Sequence, residues 1–380
     1  MDFADSPAEA EFRARLRSWL ADHNPGLPAS STSDEYWAGQ AAWHQALYDA
    51  GFFGLSWPTE IGGHGLPTVY EVIVDDELAA AGAPPRPSLG YLVQGILRHG
   101  NRDIRARLLP GIVNGRDRWC QGFSEPEAGS DLASLRTTAV RDGDDYVISG
   151  HKVWTSYSDA ADWCLVLART DPDVPKHSAR SKHRGISAFR VSMRQPGVVQ
   201  KPLKMINGIT REFGEVFFDE ARTPATDMIG EPGEGWRLAM TVVGHEREPG
   251  ELGYVARYRK VVKDLVARVS ESPDDYGPEQ RRDLAWAVVE SEMLRHHVSR
   301  RLSDRLDAIT HGPEGSVDKL LMTRVEQSVG HAALSVGAAS ASDDTWLKLY
   351  LYSRAQSVMG GTSQIQRNLV ATRLLGLPTS

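Results

Sequence analysis

The sequence predicts an α+β fold in three parts: a helical unit over residues 1–118, a strand-rich unit over 119–230 and a second helical unit over 231–380. Three observations predict it. Apolar residues recur at helical spacing at both ends of the chain, short β-branched or aromatic runs replace that pattern in between, and 380 residues are more than one ordinary core organises.

In the first part, Phe12, Leu16 and Trp19-Leu20 mark a helix between Glu9 and His23. Tyr36–Ala50 and Tyr70–Ala81 repeat the period, with Gly- and Pro-rich breaks between them. Near residue 120 the composition changes. Leu135–Arg141 and Tyr146–Ser149 flank Asp142-Gly143-Asp144-Asp145, a hairpin turn by its residue types, because Gly accepts positive φ and Asp initiates turns. Trp163-Cys-Leu-Val-Leu-Ala168, Gly185–Val191 and Glu215-Val-Phe-Phe218 are short and bounded by Gly, Pro or Asp, as strands are. Asp171–Arg184 is a surface loop by composition. From Gly235 the helical period returns through Trp236–Glu246, Arg257–Val269, Arg281–Leu306, Val317–Ser335 and Thr345–Ser357.

Bulk properties remove several classes of function. A formal net charge of −7, with both signs mixed throughout and no basic run, argues against nucleic acid as a partner. The two cysteines, Cys120 and Cys164, have no metal-ligand spacing and indicate a reducing, cytoplasmic environment. The acidic start lacks a secretory signal, and no apolar run reaches the length of a membrane span. Gly122-Phe-Ser124 begins like a nucleophile elbow, but Pro126 replaces the glycine that the turn requires. His245-Glu246 begins like a zincin helix, yet Pro249 stands where the second imidazole belongs. His296-His297 are neighbours on different helix faces. No metal site and no nicotinamide or triphosphate fingerprint is predicted.

Three segments carry the chemistry: Gly122-Phe-Ser-Glu-Pro-Glu-Ala-Gly-Ser-Asp131, Lys152-Val-Trp-Thr-Ser156 and Met359-Gly-Gly-Thr-Ser-Gln-Ile-Gln-Arg367. In this order and at these separations they resemble the signature motifs of the acyl-CoA dehydrogenase family, and the resemblance covers nearly the whole chain. It implies a helical N-terminal domain, a middle β-barrel or sandwich domain and a C-terminal four-helix-bundle domain. It also implies FAD as cofactor, with Gln121, Phe123, Ser124, Gly129, Ser130, Trp154, Thr155, Ser156, Thr362, Ser363 and Gln364 around it. Ser130, Arg247, Gly360 and Gly361 are the substrate-binding positions by the same carry-over. An isoalloxazine ring needs an apolar floor and donors at its polar edge, and these residue types supply both. Ser363 with Gln366 forms a capping-box pattern, and Ile365, Leu369 and Leu374-Leu375 read as core of a final helix.

The family usually carries its catalytic glutamate where this chain has Gly360. In a subset resembling isovaleryl-CoA dehydrogenase, the base follows a Gly-x-Gly-(aromatic)-x-x-Ala-Met segment, and here Gly233-Glu-Gly-Trp-Arg-Leu-Ala-Met240 leads to Glu246-Arg247. Glu246 is therefore the candidate base. The implied reaction is removal of the α-proton by Glu246 and of the β-hydrogen as hydride to flavin N5, with an acyl-CoA substrate and an electron-transfer flavoprotein as acceptor. An acyl-CoA oxidase, a carrier-bound acyl dehydrogenase and a non-catalytic FAD-binding subunit share the same motifs. Long striped helices and the family pattern imply a homo-oligomer, a dimer or tetramer. Two departures open the alternative of a heteromer. No arginine occurs in Ser270–Gly277, where relatives carry Arg-x-x-Phe-Gly, and a Gly-Gly-x-Gly segment has thinned to Leu334-Ser-Val-Gly-Ala-Ala339.

Overall fold

The first helices each bury one apolar stripe into a common core. The computed structural model describes residues 5–27, 34–171, 182–245, 253–306, 313–337 and 345–378. Helix α1 (Pro7–His23) opens on a reciprocal cap: the Ser6 hydroxyl accepts from the Glu9 backbone, and the Glu9 carboxylate accepts from Ser6 N at 2.7 Å. It buries Phe12, Leu16 and Leu20; α2 (Asp34–Asp49) adds Trp43 and Leu47, and α3 (Val69–Ala80) adds Ile73, Val74 and Leu78. Two further helices, α4 (Gly90–His99) and α5 (Arg102–Val113), are absent from the sequence reading. Their signals are weak for physical reasons: α4 starts at Leu89 without a side-chain cap, and α5 contains Pro110.

The middle unit is a seven-stranded sheet in the order β1-β4-β2-β3-β7-β6, with β5 on the other edge of β4. Its strands are β1 (Trp119–Gly122), β2 (Thr138–Asp142), β3 (Asp145–Ser156), β4 (Trp163–Arg169), β5 (Ile186–Ser192), β6 (Val198–Lys204) and β7 (Thr210–Pro224). The predicted hairpin joins β2 to β3 with Gly143 at φ 59°. β1 and β6 are absent from the sequence reading, β1 because it is only four residues long and β6 because Pro202 breaks its apparent strand pattern. β4 is apolar on both faces because both are covered: Leu165 and Leu167 join the N-terminal core, while Cys164, Val166 and Ala168 join a second core with Phe189 and Val216. Along one edge of β4, β1 pairs in parallel from Trp163 to Val166 and β2 takes over at Arg169. The chain between them, 123–137, therefore leaves the sheet as a loop, and it contains the first motif.

Helix α6 (Gly235–His245) follows the sheet in the chain but packs on α4, close enough that a Cβ at Gly95 would come within 2.7 Å of Val242. The other C-terminal helices are α7 (Gly253–Glu271), α8 (Pro278–Leu306), α9 (Gly315–Gly337) and α10 (Thr345–Ala355), close to their predicted spans. They share a core of Tyr258, Leu265, Leu284, Leu294, Val325, Val329 and Val336. Small residues set the α9–α10 approach: a Cβ at Gly337 would meet the Trp346 ring at 2.2 Å.

Candidate functional site

Buried charge fixes the loop that carries the first motif. Pro126-Glu127 turn the chain back so that Glu125 and Ala128 exchange both backbone hydrogen bonds, at 3.1 and 3.0 Å. The Glu125 carboxylate accepts from Arg136 N at 2.6 Å, Thr137 N at 2.9 Å, Thr137 Oγ1 at 2.6 Å and Lys152 Nζ at 2.8 Å. Lys152, fully buried, also donates to Phe123 O at 3.1 Å. From β4, the buried Arg169 guanidinium donates to the carbonyls of Ala133 and Leu135. Burial alone would raise the Glu125 carboxyl, but Lys152 and the donors from Thr137 and Arg136 outweigh it and hold the group below its ordinary value. Burial pulls Lys152 down despite its carboxylate partner. Sequence reasoning missed this pair; the available signal was a lysine inside a strand that is otherwise packed.

The same contacts bring the first two motifs together. Val153 N donates to Ser124 O at 2.9 Å, so Ser124 runs beside Trp154. Phe123 is buried, whereas Ser124 and Ser156 are half-buried and Gly129 and Ser130 are exposed. A Cβ at Gly129 would meet nothing within 4 Å, so no protein neighbour requires glycine there. Trp154 is 62% exposed with φ 58°, a left-handed conformation for a large side chain that presents its ring outward. Thr155 between them is buried, and its hydroxyl, like Gln121 Oε1, has no hydrogen-bond partner among the described residues. An exposed aromatic plane beside a backbone turn, with buried polar atoms left over, fits a flat heteroaromatic cofactor with a polar edge.

The third motif follows α10. Tyr352 of that helix donates to Glu212 Oε1 at 2.6 Å, and Tyr157 N donates to Glu212 O at 2.8 Å. α10 is thereby fastened to the strand end that carries Trp154. Gly360 and Gly361 have φ of 61° and 92°, as their predicted role in an unusual turn requires. The cap of the short helix α11 (Ser363–Leu369) differs from expectation. Thr362 is the N-cap, accepting from Ile365 N at 3.2 Å, and Gln366 instead turns back to donate to Gly360 O and Gly361 O. The chain leaves α11 as a π-helical turn, Val370–Leu374, in which no residue is buried, and Leu375 is 67% exposed. The expected core role of Leu374-Leu375 is thus wrong, because the helix is too short to carry those side chains inward. Gln364 is exposed, and Thr362 and Ser363 are half-buried. Lys319 donates to Gln356 O at 3.1 Å, and a Cβ at Gly360 would sit 3.6 Å from its Cε.

α6 carries the chain up to His245, and the predicted base Glu246 and its neighbour Arg247 lie outside the described residues. His99 Nε2 lies 2.8 Å from Thr241 Oγ1, fastening the last turn of α6 to α4. Two other carboxylates are shifted upward, the half-buried Glu212 on β7 and the buried Glu326 on α9. Burial raises Glu212 against the Tyr352 hydrogen bond, and it raises Glu326 against the Tyr258 hydroxyl that donates to it.

Family models match this chain along nearly its whole length: the acyl-CoA dehydrogenase N-terminal domain at residues 6–116, the middle domain at 120–221 and the C-terminal domain at 233–375. The chain belongs to the acyl-CoA dehydrogenase family and is an FAD-dependent enzyme of that family. It is 38% identical over 386 residues to acyl-CoA dehydrogenase IpdE1 of Mycobacterium tuberculosis, covering 97% of each chain. Among solved structures it is similar to the Tcur3481-Tcur3483 steroid ACAD, at 28% identity, TM-score 0.85 and complete coverage of both chains. It is similar also to the ChsE4-ChsE5 complex from Mycobacterium tuberculosis, at 27% identity, TM-score 0.79 and complete coverage of both chains.

Proposed function

We propose that this enzyme removes the α and β hydrogens of a bulky, alicyclic acyl-CoA thioester, giving the trans-2-enoyl-CoA, with Glu246 as the base. The observation that carries the reading is the pairing of a glycine at 360 with the exposed, left-handed Trp154 beside Ser124. A flavin floor is present, and the position usual for the base holds no carboxylate. FAD supplies the acceptor for the β-hydride. Around it, Gln121, Phe123, Ser124, Gly129, Ser130, Trp154, Thr155, Ser156, Thr362, Ser363 and Gln364 bind and orient the ring and its phosphates. Ser130, Arg247, Gly360 and Gly361 hold the CoA thioester, the backbone amide at 360 facing the thioester carbonyl. Glu246 accepts the α-proton, which requires shielding from water to keep it basic near neutrality. The bulk of the acyl group follows from the similarity of the chain to a steroid ACAD.

The assembly we assign is an oligomer completed by a second, related chain. At the Ser270–Gly277 turn the nearest arginines are engaged within the subunit: Arg268 donates to Tyr276 Oη at 3.0 Å, and Arg281 donates to Tyr276 O at 3.0 Å and to Pro273 O. Neither is free to reach a neighbour's FAD. On α8, Trp286, Val289 and Met293 form an exposed apolar stripe. Two similar solved proteins carry paired names, Tcur3481-Tcur3483 and ChsE4-ChsE5. We assign an electron-transfer flavoprotein as acceptor and a cytoplasmic location, in keeping with the free, buried Cys120 and Cys164. Among the described residues no helix is long and apolar enough to cross a membrane. The test is anaerobic mixing of the purified yellow protein with an acyl-CoA panel, followed by air. Bleaching without peroxide is expected; bleaching with peroxide would make it an oxidase, and no bleaching by any thioester would make it a binding subunit.

A further inference from the structure

A cavity of about 310 Å³ lies between the N-terminal helices, the end of β3 and α7, a size suited to part of a small molecule. Its wall is aromatic, with Trp37, Tyr91, Trp119, Tyr157 and Tyr254 among the lining residues, and Trp37 stands edge-on to Tyr157 at 5.0 Å. Five of the lining residues are Asp, Glu, Lys or Arg, and four of these are neutralised by partners. Arg86 grips Asp75 through two bonds of 2.8 and 2.9 Å, Arg118 binds Asp162 at 2.9 Å, and Asp117 binds Arg116 at 3.0 Å. His44, also in the wall, is pushed down to about 4 by burial and is neutral near pH 7.

The fifth charge is different. Arg257 has no hydrogen bond or ion pair among the described residues; its guanidinium carbon lies 6.0 Å from the centroid of the Tyr254 ring. The Arg257 side chain itself is exposed to solvent at the cavity wall, and the neighbouring Tyr254, Tyr258, Glu326 and Tyr352 favour its charged form. Two carboxylates that could have claimed it are bound by tyrosine hydroxyls instead, the half-buried Glu212 by Tyr352 and the buried Glu326 by Tyr258. A planar fork of donors left over in an aromatic cavity is suited to a carboxylate, which it meets through two parallel bonds. Tyr157 in the cavity wall directly follows the motif strand that ends at Ser156, so the cavity lies beside the strand end that carries Trp154.

We propose that Arg257 binds a carboxylate at the end of the acyl group remote from the thioester, making the substrate class a CoA thioester of an alicyclic dicarboxylic acid. This rests on the acyl-CoA dehydrogenase reading above. The test compares three thioesters on the FAD-loaded protein, with any chain that co-purifies: 3-cyclohexylpropanoyl-CoA and its 4-carboxy and 4-acetyl ring derivatives. The 4-carboxy compound should bleach the flavin with a kcat/KM at least about tenfold above the other two, the size of one good charged contact. Arg257→Met should erase that preference while leaving the unsubstituted thioester within about twofold of wild type, and Arg257→Lys should keep part of it. Equal rates for the three compounds in the wild type, an acetyl group as effective as a carboxylate, or an equal loss on all three in Arg257→Met would overturn the assignment. If no thioester bleaches the wild type, the dehydrogenase reading itself fails, and the arginine is then judged by binding. Quenching of tryptophan fluorescence by free 3-(4-carboxycyclohexyl)propanoate, weakened about tenfold in Arg257→Met, would support the site. Binding that ignores the substitution would overturn it.

Discussion

The loop over 123–137 and the cavity around Arg257 both gather charged side chains, buried in the loop and exposed at Arg257, and they use them in opposite ways. In the loop every charge is answered from within: Glu125 takes four donors, Lys152 gives to Glu125 and Phe123, and Arg169 gives to two carbonyls. In the cavity one guanidinium is left without a hydrogen bond or ion pair among the described residues. A charge satisfied inside the protein fixes a shape, whereas one left over in a cavity is available to a ligand. Substitutions in the loop should therefore cost stability first, and substitutions at ligand-facing positions should cost binding or rate first.

The largest stability effect expected is at Glu125. Glu125→Gln strips the buried Lys152 of its counter-charge and should destabilise the fold by about 3–5 kcal/mol, measured by denaturant unfolding. The double variant Glu125→Gln, Lys152→Met should recover most of that loss; if it is as unstable as the single variant, the pair is not what holds the loop. The pH dependence follows from the sign. Glu125 is held below its ordinary value in the fold, so its contribution is complete above the unfolded carboxylate value and is lost as pH falls through the lower folded value. Wild type should thus lose stability in acid more steeply than the double variant.

Tyr352→Phe should follow, at about 1.5–3 kcal/mol, because it removes a hydrogen bond to the half-buried Glu212 carboxylate and loosens α10 from β7. Unchanged melting would mean that water replaces the hydroxyl. Trp154→Ala reverses the pattern. Its ring is already exposed, so apo-protein stability should stay within about 0.5 kcal/mol while FAD occupancy falls. Trp236→Ala, on α6 against the N-terminal core, should do the opposite. Equal occupancy in both variants would remove Trp154 from the flavin site. The smallest effect is expected from Gly360→Glu in a Glu246→Gln background. A positive φ costs a non-glycine residue about 1–2 kcal/mol, and Lys319 beside the new side chain would hold its carboxylate less basic, so turnover should return only in part. Full recovery would show that Lys319 exerts no such restraint.

The same contrast explains what the sequence disclosed. The motif residues were legible because flavin chemistry constrains residue type at fixed local spacing, and the long C-terminal helices were legible from period. α4, α5, β1 and β6 were not, since Leu89, Pro110 and Pro202 blur local propensity, β1 is only four residues long, and tertiary packing decides. Thr362 rather than Ser363 caps α11 because the positive φ at Gly361 delivers the chain one residue earlier, a choice between two adequate hydroxyls. The Glu125–Lys152 pair joins residues 27 apart, and the solitude of Arg257 depends on where Glu212 and Glu326 find their tyrosines; neither is a property of any window of sequence. Glu246 as base is legible through its motif match, and one measurement tests it directly.

That measurement is the single-turnover reduction of bound flavin by an acyl-CoA, wild type against Glu246→Gln, with FAD content determined in both. Bleaching in the wild type and a loss of at least about a thousandfold in the variant at equal FAD content is the expected result, since the amide keeps the shape and cannot accept the proton. Bleaching of the variant at the wild-type rate would contradict the assignment and shift the role to Glu212, the half-buried carboxylate beside Tyr157 whose basicity is already raised.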